Sequence, residues 1–415
     1  MDLILIGAGS RGSIYARYAC EQGHTVVALA EKDDARRETA RTALHVPEEA
    51  CFRTAEELLS RPRMADAAII ATMDRDHYHQ AIAAMNLGYD LLLEKPISPD
   101  PAETLDIADT ALRLGRRVVV CHVLRYTPFF RKLKEILDSG ELGRIIAIEH
   151  TENIGNYHIA HSFVRGNWRN ERLSSPIILQ KSCHDLDLLL WLTGQRVKRI
   201  FSTGSLSFFR PENAPLGSTA RCTDCPAAGA CRFDARKAYL PAMGKWPAQV
   251  LTEDQTEAGI EEALRTGPYG RCVFRCDNDV CDHQVVAMEY EDGATAAFTL
   301  CGMTDRMHRT IHIMCEHGEI HGDDDPGEIL VSRFRSSQAD TTEQRLITIG
   351  QVNGGHSGGD AGLMDAFLKD PKSGAVLSDV DRSVESHLLA FAAEESRKSG
   401  QAVDMAEWVE RLRKN

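Results

Sequence analysis

Three leucines, a carboxylate, an ammonium and a proline in succession, Leu91-Leu92-Leu93-Glu94-Lys95-Pro96, form the stretch of this chain best suited to chemistry. The leucines read as a short buried strand, and the proline forbids a helical continuation. In a doubly wound sheet, ligands bind beyond the carboxyl ends of the parallel strands, so Glu94 and Lys95 would face a cofactor or substrate there. A polar strand exit without chemistry is the competing account of these six residues, and the flanking sequence decides between them. A second candidate is His184, with Asp187 one turn later, at the polar start of an apolar stretch that reads as one helix from Leu179 to Leu192. A histidine suits proton transfer because its pKa lies near neutrality. A third group is Asn156, Tyr157, His158, His161, Arg165, Trp168 and Arg169, donors, acceptors and flat rings of the kind that recognise a polyol.

These groups need elements to hold them. Leu3 to Ile6 is an apolar strand running into Gly7-Ala8-Gly9-Ser10-Arg11-Gly12, which opens a helix from Ser13 to Gln22. In such a G-x-G-x-x-G, the first glycine makes the tight turn and the second lets the backbone approach a pyrophosphate. The third permits close helix packing, with phosphate at the helix N-terminus. A second strand, Thr25 to Ala30, ends in Glu31, 24 residues after Gly7, where a carboxylate accepts from ribose hydroxyls and repels a 2′-phosphate. NAD is therefore expected over NADP, with Arg36 and Arg37 read as a solvated helix face. Strand and helix alternate onward: a capped helix at Thr54 to Leu59, a strand from Ala67, a helix from His77 to Leu87, the Leu91 strand, a helix from Pro101 to Leu114 and a strand from Val118. Strict alternation predicts a parallel, right-handed, doubly wound sheet.

The chain has 415 residues, too many for one ordinary core. The expected division is a Rossmann domain over 1–122 and a second α+β domain over 123–415. The second is built on an open, mainly antiparallel sheet, with a hairpin at Asp292-Gly293. A net charge of −13 argues against nucleic acid or an anionic membrane as partner. With no basic leader and no long apolar run, a cytoplasmic protein is expected. Six of the twelve cysteines crowd between Cys222 and Cys281, inside an insert at about 205–282. Cys222-x2-Cys225 spacing suits one tetrahedral ion, and a structural zinc is expected on Cys222, Cys225, Cys231 and either Cys276 or Cys272, with free thiols the alternative and an iron–sulfur cluster disfavoured because the spacing matches no common ferredoxin run.

Taken together, Gly7-x-Gly9-x-x-Gly12, Thr72-Met73-Asp74-Arg75-Asp76-His77, Glu94-Lys95-Pro96, Arg125-Tyr126-x-Pro128 and His184-x-x-Asp187 resemble the glucose-fructose oxidoreductase / inositol dehydrogenase / rhizopine catabolism (Gfo/Idh/MocA) family. The resemblance implies NAD(P)-dependent chemistry on sugars, cyclitols or related polyols. It implies a cis Lys95–Pro96 bond, with Lys95 at the nicotinamide ribose and substrate and His184 as the acid/base. It adds Thr72, Asp74, His77 and Glu94 to the cofactor contacts Gly7, Gly9, Ser10, Arg11, Gly12, Glu31 and Lys95, and Gln180, Lys181 and Asp187 to the substrate side. It also implies a homodimer or homotetramer formed on the open sheet. One position departs: the family commonly has Asp four residues before this His, and here Gln180 stands, with Lys181 beside it. Gln holds a hydroxyl but takes no proton. Three activities follow: a dehydrogenase of a secondary hydroxyl; a redox-neutral glycosidase working by oxidation, elimination, hydration and reduction; and a non-catalytic sugar or nucleotide sensor.

Overall fold

The apolar runs of the first third fold as parallel strands, the central ones buried on both faces. They are β1 (Asp2–Ile6), β2 (Thr25–Ala30), β3 (Cys51–Phe52), β4 (Ala67–Ile70), β5 (Asp90–Leu93) and β6 (Val118–Val120). The computed structural model describes residues 1–339, 343–350, 355–369 and 376–414. The sheet runs in the order β3-β2-β1-β4-β5-β6, all pairs parallel. Strand order runs outward in opposite senses from the β1–β4 pair, so a crevice opens at the carboxyl ends of β1 and β4, where the glycine loop and Thr72 lie. Leu3 to Ile6, Leu91 to Leu93 and Val119 to Val120 are wholly excluded from solvent, as expected for strands covered by helices on both sides.

The second sheet holds β7 (Ile145–Asn153), β8 (Val197–Ser205), β9 (His283–Tyr290), β10 (Thr295–Cys301), β11 (His308–Cys315), β12 (Gly318–Asp323), β13 (Glu328–Arg333), β14 (Glu343–Thr348) and β15 (Val403–Asp404). Its order is β14-β13-β12-β11-β7-β10-β9-β8-β15, antiparallel except for the β7–β10 pair. The expected hairpin joins β9 to β10, with Gly293 at φ 89°. Helices Cys183–Thr193 and Val380–Ser399 cover one face of this sheet. The other face is open and carries exposed Phe201, Val285 and Leu346.

The long helix Val380–Ser399 is capped by Asp379, whose side chain accepts from Arg382 N. Two features differ from the sequence reading. The apolar stretch expected as one helix breaks at Lys181-Ser182 into Ile177–Gln180 and Cys183–Thr193. The last part of the chain also returns to the first sheet: Leu363, Met364 and Phe367 pack in the core under β1 and β4, and Val119 forms an antiparallel bridge with Asp379. Of the glycine-rich segment before Asp360, Gly354 lies outside the described residues. No helix among the described residues is long and apolar enough to cross a membrane.

Candidate active site

The glycine loop is built for a close neighbour. Gly7 sits at φ 89°, and a Cβ there would lie 2.6 Å from Ala71 O; a Cβ on Gly12 would lie 2.0 Å from Gly7 O. At Gly9, by contrast, a Cβ would meet nothing within 4 Å, so the backbone there faces open space. The helix Ser10–Glu21 that follows has no side-chain cap and no acidic residue in its first turn, which leaves its amides and dipole to an anion. Glu31 is buried at the end of β2, where Oε2 accepts from Ala8 N (2.8 Å) and Oε1 from Asp33 N (3.0 Å). Each oxygen keeps a lone pair for a ribose hydroxyl. Arg37 is occupied by Glu31 O and Asp34, and Arg36 by Asp33. The residues present fit a dinucleotide with an unphosphorylated adenosine ribose.

The Lys95–Pro96 bond is cis. Lys95 Nζ donates to Gln180 O at 2.7 Å, a carbonyl freed from the helix ladder by the break at Lys181. This bond ties the end of β5 to the turn that precedes His184. Glu94 points the other way, accepting from Arg11 Nε (3.0 Å), Tyr15 Oη (2.8 Å) and Lys95 N (2.9 Å). Burial would raise its carboxyl, but Arg11 and Lys95 outweigh burial and hold it below the usual carboxylate range. Arg11 is further clamped by Asp360 (2.6 Å).

His184 is buried, and its Nδ1 has no hydrogen-bond partner among the described residues. Burial first, then the Lys95 charge, pulls its pKa well below the usual value, so the ring is neutral at physiological pH. His122 lies edge-on to it at 5.5 Å, with His387 behind at the same distance. Around the other side of Lys95 stands a buried cluster on the inward face of β7 and β11. Arg309 touches Glu152 and donates to Asp185 Oδ1 (2.8 Å), His150 Nε2 is 2.9 Å from the same oxygen, and Lys181 Nζ is 3.3 Å from Glu152 Oε1. Burial raises the Glu152 carboxyl to about 8, whereas Arg309 and His150 overcome the burial of Asp185 and hold it well below the usual range. Burial likewise lowers the Lys181 ammonium, against the pull of Glu152.

Met307 forms the outer lip, 3.8 Å from Lys181 Nζ and 3.1 Å from His158 Nδ1, and it borders a cleft of ≈ 300 Å³ with Arg309, Asp324 and His356. The insert contributes Trp246, whose ring packs at 6.0, 5.2 and 5.4 Å from Tyr157, His158 and His161. Tyr157 is half-exposed at the rim and Gln180 is buried.

Other expected ligand contacts are internal. Asp74 is buried and accepts from Ser174 Oγ at 2.7 Å, and His77 braces the turn after β5 through Pro96 O (2.8 Å) and the turn after β4 through Thr72 O (3.2 Å). The Thr72 hydroxyl donates to Gln80. Asp187 takes a bidentate clamp from Arg125, both bonds 2.7 Å, and burial still pushes its carboxyl up. Arg165 faces the insert, Arg169 pairs with Asp277 at 2.7 Å, and Trp168 packs on Phe163. Cys276 donates to Cys272 O and stays outside the cavity that Cys222, Cys225, Cys231 and Cys272 share. The sequence reading missed Glu152, Arg309, His122 and Trp246. Glu152 had a signal: with Ile148 and His150 it alternates on the inward face of β7, where a charge needs a partner.

The model of the oxidoreductase family with an NAD-binding Rossmann fold matches residues 1–122, and that of the GFO/IDH/MocA C-terminal domain matches residues 130–321. YteT of Bacillus subtilis (strain 168), named as an oxidoreductase, is 27% identical over 340 residues, 79% of this chain and 77% of its own length. Inositol 2-dehydrogenase 4 of Saccharopolyspora erythraea is 29% identical over 224 residues, 52% of this chain and 60% of its own. In fold, the chain is similar to scyllo-inositol dehydrogenase from Lactobacillus casei, solved with NAD(H) and scyllo-inositol. That pair has a TM-score of 0.67 at 17% identity, covering 98% of this chain and 99% of the other. A levoglucosan dehydrogenase solved with NADH gives a TM-score of 0.70 at 17% identity and the same coverage.

Proposed function

The chain belongs to the GFO/IDH/MocA oxidoreductase family, and on that premise we propose that it is an NAD-dependent dehydrogenase of a secondary hydroxyl on a sugar or cyclitol. The observation that carries the reading is His184, a buried neutral imidazole with an unpartnered nitrogen beside the Lys95 ammonium. A buried polar atom without a partner is costly unless a ligand completes it. NAD, held along Gly7 to Gly12 with its ribose on Glu31, supplies the hydride acceptor. Lys95 donates to the substrate oxygen and stabilises negative charge there as the hydroxyl proton leaves, and His184 takes that proton. Lys181 and Glu152 supply the ionisable pair that Gln180 cannot, next to the ring-binding wall of Tyr157, His158 and Trp246. The relatives named for inositol and levoglucosan support a ring polyol as the substrate class. The open sheet face, with Phe201, Val285 and Leu346, supports a homo-oligomer built on it.

Lys181 favours a second reading. An amine with a depressed pKa on the substrate side suits removal of a proton next to a transient ketone, the step that expels a glycoside in a redox-neutral glycosidase. One assay separates the readings: NAD with a panel of cyclitols, free sugars and glycosides, following NADH and released sugar together. NADH formed without bond cleavage is expected. Sugar release that needs NAD yet accumulates no NADH would replace the dehydrogenase by the glycosidase. Tight NAD binding with neither product across the panel would favour a sensor.

A further inference from the structure

We propose that Cys222, Cys225, Cys231 and Cys272 form a tetrahedral zinc site that fixes the insert against the substrate cleft. The four side chains line one cavity of ≈ 20 Å³, closed over by Phe233 and Phe274. That space suits a single ion and is too small for an iron–sulfur cluster. The backbone brings the thiols together from distant parts of the insert. Arg221 and Arg271 form an antiparallel bridge, with Cys222 N donating to Gly270 O (2.8 Å) and Cys272 N to Ala220 O (2.9 Å), so Cys222 and Cys272 are neighbours across it. Cys225 N closes a turn onto Cys222 O (3.3 Å), and Cys231 N closes the next onto Ala227 O and Ala228 O (both 3.0 Å).

Arg165 is the independent observation. It is 2% exposed, and it donates to Arg271 O (2.8 Å), Phe233 O (2.6 Å) and Cys222 Sγ (3.5 Å). Among the described residues no carboxylate pairs with it, so a buried guanidinium faces two neutral carbonyls and a sulfur. A buried charge without a counter-charge is costly. Four thiolates around Zn²⁺ carry a net double negative charge and provide one, the thiol protons leaving as the ion binds. None of the cysteines is in a disulfide. Among the described residues the trio of ligand atoms within 4.8 Å of one another is His312, Glu319 and His321, on the open sheet face. The four sulfurs stand wider apart, and an ion would draw them inward. Arg165 closes the helical segment that begins at Asn156 and carries Tyr157, His158 and His161, so the ion would anchor both the insert and that wall of the cleft.

Elemental analysis of the full chain, purified without chelator, tests this directly. The expected result is about one zinc per chain with no iron and no acid-labile sulfide. The C276S protein keeps that zinc, C272S loses it, and cobalt in its place gives the visible bands of a tetrahedral tetrathiolate. Metal-free protein whose four thiols are all alkylated in the native state overturns the site, as does iron with labile sulfide. Zinc kept by C272S but lost by C276S overturns the choice of ligands. Should C272S fail to fold, the wild-type metal content and the C276S protein still decide.

Discussion

His184 and Asp187 lie one turn apart on the same helix, both buried, and the protein treats them in opposite ways. Asp187 has both oxygens filled by Arg125, which in turn reaches Leu377 O at 2.6 Å, so the group is spent on joining three parts of the chain. His184 has a nitrogen that meets nothing among the described residues. Burial disfavours the charged form of both, but only one has been given an internal partner. A satisfied buried polar group holds structure, and an unsatisfied one waits for a ligand. The same rule separates Lys95, which spends one of its three N–H donors on Gln180 O, from Arg11, which is closed between Glu94 and Asp360.

If that division is right, changes on the open side cost turnover and changes on the filled side cost stability. Replacing Lys95 by Met is expected to lower the rate of NADH formation by about 10³-fold or more while NAD affinity changes little, read by stopped-flow turnover and by calorimetric titration. Loss of NAD binding in that variant would move Lys95 to the structural side. His184→Asn should cost about 10²–10³-fold in kcat without lowering the unfolding midpoint. Asp187→Asn leaves Arg125 buried without its counter-charge, and urea unfolding should show about 3–5 kcal/mol lost, with kcat per folded molecule near wild type. A kcat collapse in well-folded Asp187→Asn would erase the distinction between the two residues.

The smallest effect concerns acid. Burial would raise Asp360, but Arg11 and His356 hold its carboxyl below the ordinary range. A depressed folded-state pKa gives stability that is full above the unfolded value and is lost as pH falls through the carboxylate range. The Asp360→Asn variant should therefore lie below wild type at pH 7, with the gap narrowing steadily once pH falls below about 4, measured as urea midpoints from pH 7 to pH 3. A constant gap between the two would show that the pair contributes through packing instead.

What was legible in the sequence follows from how local each feature is. The strand–helix alternation, the glycine loop, the Thr54–Glu57 capping box and the Asp292-Gly293 hairpin rest on residues within a few positions of one another, and all appear as read. The break at Lys181 was hidden because Gln180-Lys181-Ser182 contains no Gly or Pro to mark a helix end, and the Gln180 carbonyl freed there is met by a lysine amine 85 positions away in sequence. Arg165 and Asp187 have the right chemistry for a polyol, and only their distant partners, Phe233 and Arg125, redirect them. The fourth cysteine was ambiguous for the same reason: Cys272 and Cys276 are equivalent in spacing, and the strand bridge at Arg221 and Arg271 separates them.

The return of the chain to its first sheet has a consequence for biosynthesis. All six parallel strands leave the ribosome before β7 to β14 of the second sheet, but the layer of Leu363, Met364 and Phe367 beneath them, and the Ser378–Asp379 edge beside β6, emerge only after those strands. Until then the nascent cofactor unit carries an uncovered apolar face, and a chaperone has the whole synthesis of β7 to β14 in which to meet it.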